Sequence, residues 1–237
     1  FGEEILPLHV LGGIGDLLGL IRNPPAPRGN MQALARDAGP GASSYTDYDR
    51  QIAAEACAWL QRKAQSAAES DKPWVLFVSF VRPHFPLIAP PEFFAMYPPE
   101  QMPLPRLYAS GERPTHEAVR ALRDCMNYDD YFDEAKARIA IAAYYALVSF
   151  LDANIGRVLG ALEQAGLMDN TRIIYTSDHG DNLGNHGLWG KSVMYEESAA
   201  IPMIVAGPDV PRNAVSDGAV SLIDCYRTVL DGAGVPL

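Results

Sequence analysis

A layered α/β fold is what the sequence predicts, and three observations predict it. Apolar runs of strand length occur at 72–81 (KPWVLFVSFV), 172–178 (RIIYTSD) and 202–208 (PMIVAGP). The first is apolar throughout, as a strand covered on both faces of a parallel sheet requires. Segments of helical periodicity separate these runs, and strands alternating with helices build layered sheets.

Taken in order, residues 1–45 carry GGIGD, NPPAPRGN and GPGASS with little periodicity. They read as an irregular surface segment, and 46–237 as the folded domain. Ser44 or Thr46 is placed to cap a helix from about Asp47 to Ser66, where Ile52, Ala56, Trp59 and Leu60 share a face. After the first strand, the Pro-dense stretch PHFPLIAPPEFFAMYPPEQMPLPR must be a loop. Residues 115–131 predict a short helix. A longer one runs from about Glu134 to Ala165, with Ile141, Tyr144, Tyr145, Val148, Leu151, Ile155, Val158, Leu159 and Leu162 at helical spacing. Gly166 supplies its stop. Asp224 to Ala233 predicts a last helix.

The chain has 237 residues, 48% of them hydrophobic, enough to bury a sizeable core without disulfides. A net charge of −10 argues against nucleic acid, whose phosphates need a Lys/Arg-rich face. A small anion remains compatible, because a few cations reverse the field inside a cleft. No apolar run approaches the roughly 18 residues that span a membrane, so no membrane association is expected. Cys57, Cys125 and Cys225 lie far apart without CxxC spacing and read as thiols, not as a disulfide frame or zinc site. Unpaired thiols lean towards a reducing, cytoplasmic setting. The start at Phe1, without an initiator Met or a signal-peptide layout, makes the chain read as a piece of something longer. Oligomeric state is not legible.

Chemistry concentrates in TSDHGDNLGNHGLWGKSVMYEES, residues 176–198, which begins where an apolar strand ends. Strand ends are where α/β proteins place ligand sites. The adjacent carboxylate and imidazole of Asp178 and His179 suit a divalent cation that takes mostly oxygen with some nitrogen. Gly180, Gly184, Gly187 and Gly190 let the backbone fold tightly, and Lys191 then offers a positive charge to an anionic oxygen. The bland alternative is a strand end entering a helix with Asp178 as its cap. Upstream, His84 stands directly past a strand between Pro83 and Pro86. Held there, it can protonate a leaving alkoxide or hydrogen-bond an anion. His186 and Trp189, inside the glycine loop, are possible pocket residues with packing as the alternative, and Asp181 reads as a supporting partner. His9 and His116 have no supporting neighbours.

The string from Asp178 to Lys191 resembles the C-terminal signature of sulfatases in the alkaline phosphatase superfamily. VSFVRPHFPLIAPPEFF, residues 78–94, resembles that family's strand followed by PHxP. The downstream stretches at 194–211 and 221–237 are similar to its next strand and helix, with Arg227 where the family usually has Pro. The resemblance covers most of 43–237, although only 79–86 and 178–191 are specific. It implies an α/β/α sandwich of alkaline-phosphatase type, here incomplete. Asp178 and His179 would be metal ligands, and Lys191 and His84 catalytic groups contacting the sulfate. The implied cofactors are a divalent metal, calcium first and Mn2+ or Mg2+ as alternatives, and a formylglycine nucleophile. The implied substrate is a small anionic sulfate ester.

The family makes its formylglycine from Cys or Ser within C/S-x-P-S/A-R, and no such motif occurs. Its first-strand Asp ligands and K-x-H pair are also not found. The expectation is therefore a catalytic-domain fragment lacking the nucleophile and inactive alone. Alternatives are a phosphonate monoester or phosphodiester hydrolase of the same superfamily, an inactive anion-binding homologue, or an unrelated α/β domain.

Overall fold

Local signals of capping, alanine content and glycine explain most helix boundaries. The computed structural model describes residues 31–66 and 72–235. In chain order it contains α1 (Met31–Asp37), β1 (Gly39–Pro40), α2 (Ser44–Ser66), β2 (Ile88–Ala89) and α3 (Pro91–Phe94). There follow α4 (Glu117–Met126), α5 (Glu134–Gln164), β3 (Ile173–Thr176), α6 (Glu196–Ala199), β4 (Met203–Ala206) and α7 (Leu222–Gly232). β1 and β2 pair in parallel with Gly39 opposite Ile88, whereas β3 and β4 are antiparallel with Ile173 opposite Ala206.

Ser43 precedes α2, its hydroxyl accepting from the Tyr45 amide at 3.3 Å. The cap thus falls one residue ahead of the earliest expected candidate. The αL residue Asn127 ends α4. Gly166, with φ +68°, follows α5 as anticipated. α7 is capped by a reciprocal Ser221–Asp224 box and starts at Leu222, two residues before the expected start at Asp224.

Contacts divide the chain into two compact units. Among the described residues, the first comprises 31–50, Phe80–Ala153 and His179–Ala200. Its core is built on the alanines of α5: Ala137, Ala140, Ala143 and Ala146 are fully buried, alongside Leu147, Leu87, Leu122, Phe132, Leu188 and Trp189. Small side chains let neighbouring backbone approach closely, so alanine and not the large residues marks this face. Tyr145 and Val148, expected on the core stripe, are 40% and 42% exposed. Tyr145 instead meets Tyr97 edge-on, with ring centroids 5.8 Å apart. By length and composition α5 is apolar enough to cross a membrane, although no comparable run was expected from the sequence. Its alanines are used here to pack a protein core.

The second unit comprises 51–66, 72–79, Asn154–Asp178 and 201–235. Leu60, Ala161 and Leu162 form its centre, with Trp59 and Trp74 in edge contact at 5.3 Å. Two strand expectations are corrected in this unit. Residues 72–81 are extended but pair with no strand among the described residues. Trp74 and Leu76 pack inward while Val75 and Phe77 are 60% and 87% exposed. The alternation has the period of a strand with one face covered, not the two covered faces that an all-apolar run predicts. The second and third strands, shortened to β3 and β4, are half-buried, and Ile204 is 59% exposed.

The irregular reading of 1–45 also fails where α1 and β1 form. Residues 1–30, including His9, lie outside the described residues. His116 is not idle either: its ring accepts from the Ala118 amide at 3.2 Å and caps α4.

Candidate active site

His84 sits in a tight loop directly after the extended segment, and buried charge holds the loop. Asp49, fully buried on α2, accepts from the Val81 and Arg82 amides at 2.8 and 3.0 Å. Burial raises the Asp49 carboxyl, while those two amides and the Arg82 charge oppose the rise. Arg82 is 2% exposed and donates to His84 O at 2.8 Å, Pro86 O at 2.7 Å and Ser43 Oγ at 2.6 Å. Its guanidinium also lies over the Tyr45 ring at 5.5 Å. Burial lowers Arg82 to about 10, which leaves it charged at neutral pH.

The His84 Nδ1 lies 2.8 Å from Phe85 O. A carbonyl only accepts, so Nδ1 carries the hydrogen and Nε2 of the neutral ring offers a lone pair. His179 repeats the arrangement, its Nδ1 2.8 Å from Gly180 O. Both Nε2 atoms face one ammonium: Lys191 Nζ stands 3.3 Å from His84 Nε2 and 2.5 Å from His179 Nε2. The imidazoles themselves meet edge-on at 6.1 Å. Burial lowers the His84 pKa, and the charges of Lys191 and His179 add to it. The Phe85 carbonyl and Asp181 oppose.

The glycine-rich loop from Gly180 to Gly190 carries Lys191 to this point. Asp181 ties it across its base, one carboxylate oxygen accepting from the Leu183 amide at 2.9 Å and the Gly190 amide at 3.0 Å. Burial raises the Asp181 carboxyl despite those bonds. Gly184 adopts φ +86° against Pro105, where a Cβ would lie 2.6 Å from the proline ring. At Gly180 a Cβ would collide with the Glu197 carbonyl.

The expected site residues therefore divide. His84, His179 and Lys191 converge. Asp178 precedes His179 at the end of the β3 segment and is exposed. His186 and Trp189 take up the packing alternative. Trp189 is 4% exposed, stacked on Phe132 at 4.1 Å, and its carbonyl accepts from Tyr128 Oη at 2.7 Å. His186 stacks on Tyr195 at 4.0 Å and lies 3.5 Å from Glu197, which also binds Arg106 at 2.9 Å. Both residues brace the loop. Sequence reasoning missed Asp49 and Arg82; the one available signal was a charge at the end of an apolar run.

A divalent cation is a partial fit to these residues. Asp178 and His179 have suitable chemistry, but a hard cation takes six or more donors. Among the described residues no group of three or more His, Cys, Asp and Glu converges. The His179 Nε2 also faces the Lys191 ammonium. The described residues supply part of a ligand set, not a whole one.

A family profile described as Sulfatase matches residues 16–235. The chain belongs to the sulfatase family. This sulfatase chain is 32% identical over 206 residues to the choline-sulfatase of Rhizobium meliloti (strain 1021), covering 84% of this chain and 40% of that protein. With the arylsulfatase of Clostridium perfringens (strain 13 / Type A) it shares 33% identity over 173 residues, 71% of this chain and 36% of that protein. Among solved structures, yidJ of Bacteroides fragilis, described as a sulfatase, superimposes with TM-score 0.59 at 30% identity over 77% of this chain and 36% of that one. The phosphonate monoester hydrolase of Silicibacter pomeroyi gives 0.58 at 26% identity, over 75% of this chain and 38% of that one. The fold class is thus the family's α/β type, and the chain spans about 40% or less of these relatives' length.

Proposed function

We propose that this chain supplies the anion-binding half of an active site that hydrolyses sulfate esters in the full-length enzyme. One observation carries the reading: a single ammonium, on Lys191, bridges the Nε2 atoms of His84 and His179. Three polar groups from segments far apart in the sequence meet at one point, and His84 is buried enough there for its pKa to fall. In this reading Lys191 turns its charge to a sulfate oxygen and stabilises the charge that grows there during transfer. His84 holds its Nδ1 hydrogen on Phe85 O, which aims Nε2 at the leaving oxygen. Its lowered pKa suits a group that gives up a proton readily once it has received one.

The divalent metal belongs to the proposal, with Asp178 and His179 as two of its ligands and Lewis-acid stabilisation of the sulfate as its chemistry. So does the formylglycine nucleophile, whose motif this sequence does not contain. Of the three side chains Lys191 carries the charge, and the two imidazoles, each with its Nδ1 hydrogen on a backbone carbonyl, hold that ammonium in place.

Replacing Lys191→Ala in the full-length enzyme is expected to lower turnover of an aryl sulfate by about two to three orders of magnitude. Unchanged steady-state kinetics would remove Lys191 from the site. A second reading, a phosphonate monoester hydrolase, is favoured by the similarity to the Silicibacter pomeroyi enzyme. Assaying an aryl sulfate and an aryl phosphonate monoester side by side separates the two by the ratio of kcat/KM.

A further inference from the structure

Three arginines, Arg113, Arg120 and Arg123, line one cleft of about 250 Å³ beside α4. Asp124 and Asp129 share it, so its formal charge is three minus two, or +1, on a chain of −10. The cations are not equivalent. Arg113 is spoken for: its Nη1 contacts both oxygens of Asp129 at 2.7 and 2.6 Å, and its Nε donates to Tyr108 O. Arg123 donates to Pro114 O at 3.0 Å and to His186 O at 3.4 Å. Carbonyls fix its position without cancelling its charge. Arg120 is exposed and makes no ion pair among the described residues, even with Asp124 one helical turn along α4. The bonds to Asp129 and Tyr108 account for Arg113, and the bond to the glycine-loop carbonyl of His186 accounts for Arg123. These bonds do not explain Arg120, or the space between the three.

We propose that this cleft is an oxyanion site, taking a sulfate group between Arg120 and Arg123 with the Ser110 hydroxyl as a neutral donor. A guanidinium fixed by carbonyls beside a second, uncompensated one matches the charge-assisted bonding that tetrahedral oxyanions receive. The volume is below that of pockets for drug-sized molecules and suits a small anion with a few waters. The ligand is either free sulfate or the sulfo group of an organic ester. The proposal stands independently of the hydrolase reading, since none of these residues belongs to the His84, His179 and Lys191 group.

The test follows the arginine Nε–H resonances of the 15N-labelled protein during titration with sodium sulfate, and separately with glucose 6-sulfate, against sodium chloride at matched ionic strength. Saturable shifts at Arg120 and Arg123 are expected with at least one of the two anions, with Arg123 as the readout in the Arg120 variants. A response to glucose 6-sulfate alone assigns the site to an ester, and a response to sulfate assigns it to the free ion. Arg120→Ala, on an exposed helix face, is expected to weaken that binding about tenfold or more, and Arg120→Glu to abolish it. Lys191→Ala is expected to leave it unchanged. Absence of a saturable response to either anion in the millimolar range overturns the proposal. So does an affinity that Arg120→Ala leaves intact. Shifts lost in Lys191→Ala but kept in Arg120→Ala would assign the anion to the other site, overturning the cleft while leaving the hydrolase reading standing.

Discussion

At the scale of single residues, the position of His84 depends on groups that never touch a substrate. Arg82 grips the carbonyls of His84 and Pro86 from inside the protein, and Asp49 holds the amides on the near side of the same loop. Removing the guanidinium leaves two half-buried carbonyls and the Ser43 hydroxyl without that donor, and Asp49 without its compensating charge. Arg82→Ala is therefore expected to lower unfolding stability by about 3 kcal/mol, measured by urea denaturation. A loss below about 1 kcal/mol would mean that water replaces the guanidinium and that the loop is held otherwise. His84 and Lys191 were legible in the sequence because each stands in a short motif that names its own neighbours. Asp49 and Arg82 were not, since 33 residues separate them and no local pattern links them. Asp49 also lay on a helix whose apolar stripe drew attention to packing.

At the scale of elements, the glycine loop is tied down by a group that the glycine pattern does not name. Leu183, Gly184, His186, Gly187 and Gly190 all adopt positive φ, and two of the five are not glycine. Backbone of this kind persists only where its surroundings over-determine it. Asp181 provides that by accepting from both Leu183 and Gly190. Asp181→Ala should therefore speed hydrogen exchange at those two amides by about tenfold or more, whereas Asp181→Asn, which keeps an acceptor oxygen, should change them little. Equal exchange in both variants would show that Arg106, Glu197 and Tyr195 clamp the loop without help. The spacing of the glycines announced the loop but left the direction of its tryptophan open between pocket and packing. Here Trp189 is core. The 72–81 segment fails in the opposite direction: its residues suit a covered strand, yet covering depends on partners that local sequence cannot specify.

At the scale of the molecule, the fold class and the longer helices α2, α4, α5 and α7 were legible from periodicity and capping, while α1 and the sheet pairing were not. Pairing is a long-range property, and the ladder seen here is a four-residue antiparallel ribbon together with a two-residue parallel bridge. The same scale decides the metal question. A net charge of −10 attracts divalent cations weakly everywhere, but affinity at one place requires converging donors. Asp178 and His179 offer one carboxylate and one imidazole, and the imidazole already faces an ammonium. Sites with complete oxygen cages can still have dissociation constants near the millimolar range when ligand charge is low. This 237-residue chain should accordingly bind Ca2+ no more tightly than about 1 mM, measured by isothermal titration calorimetry. Saturation at one ion per chain below about 10 μM would mean that the described residues hold a complete site, and the partial ligand set argued from Asp178 and His179 would be wrong. Weak binding that nevertheless broadens the His179 resonances on adding Mn2+ would agree with a half-built site, in which the ion competes with Lys191 for the same lone pair.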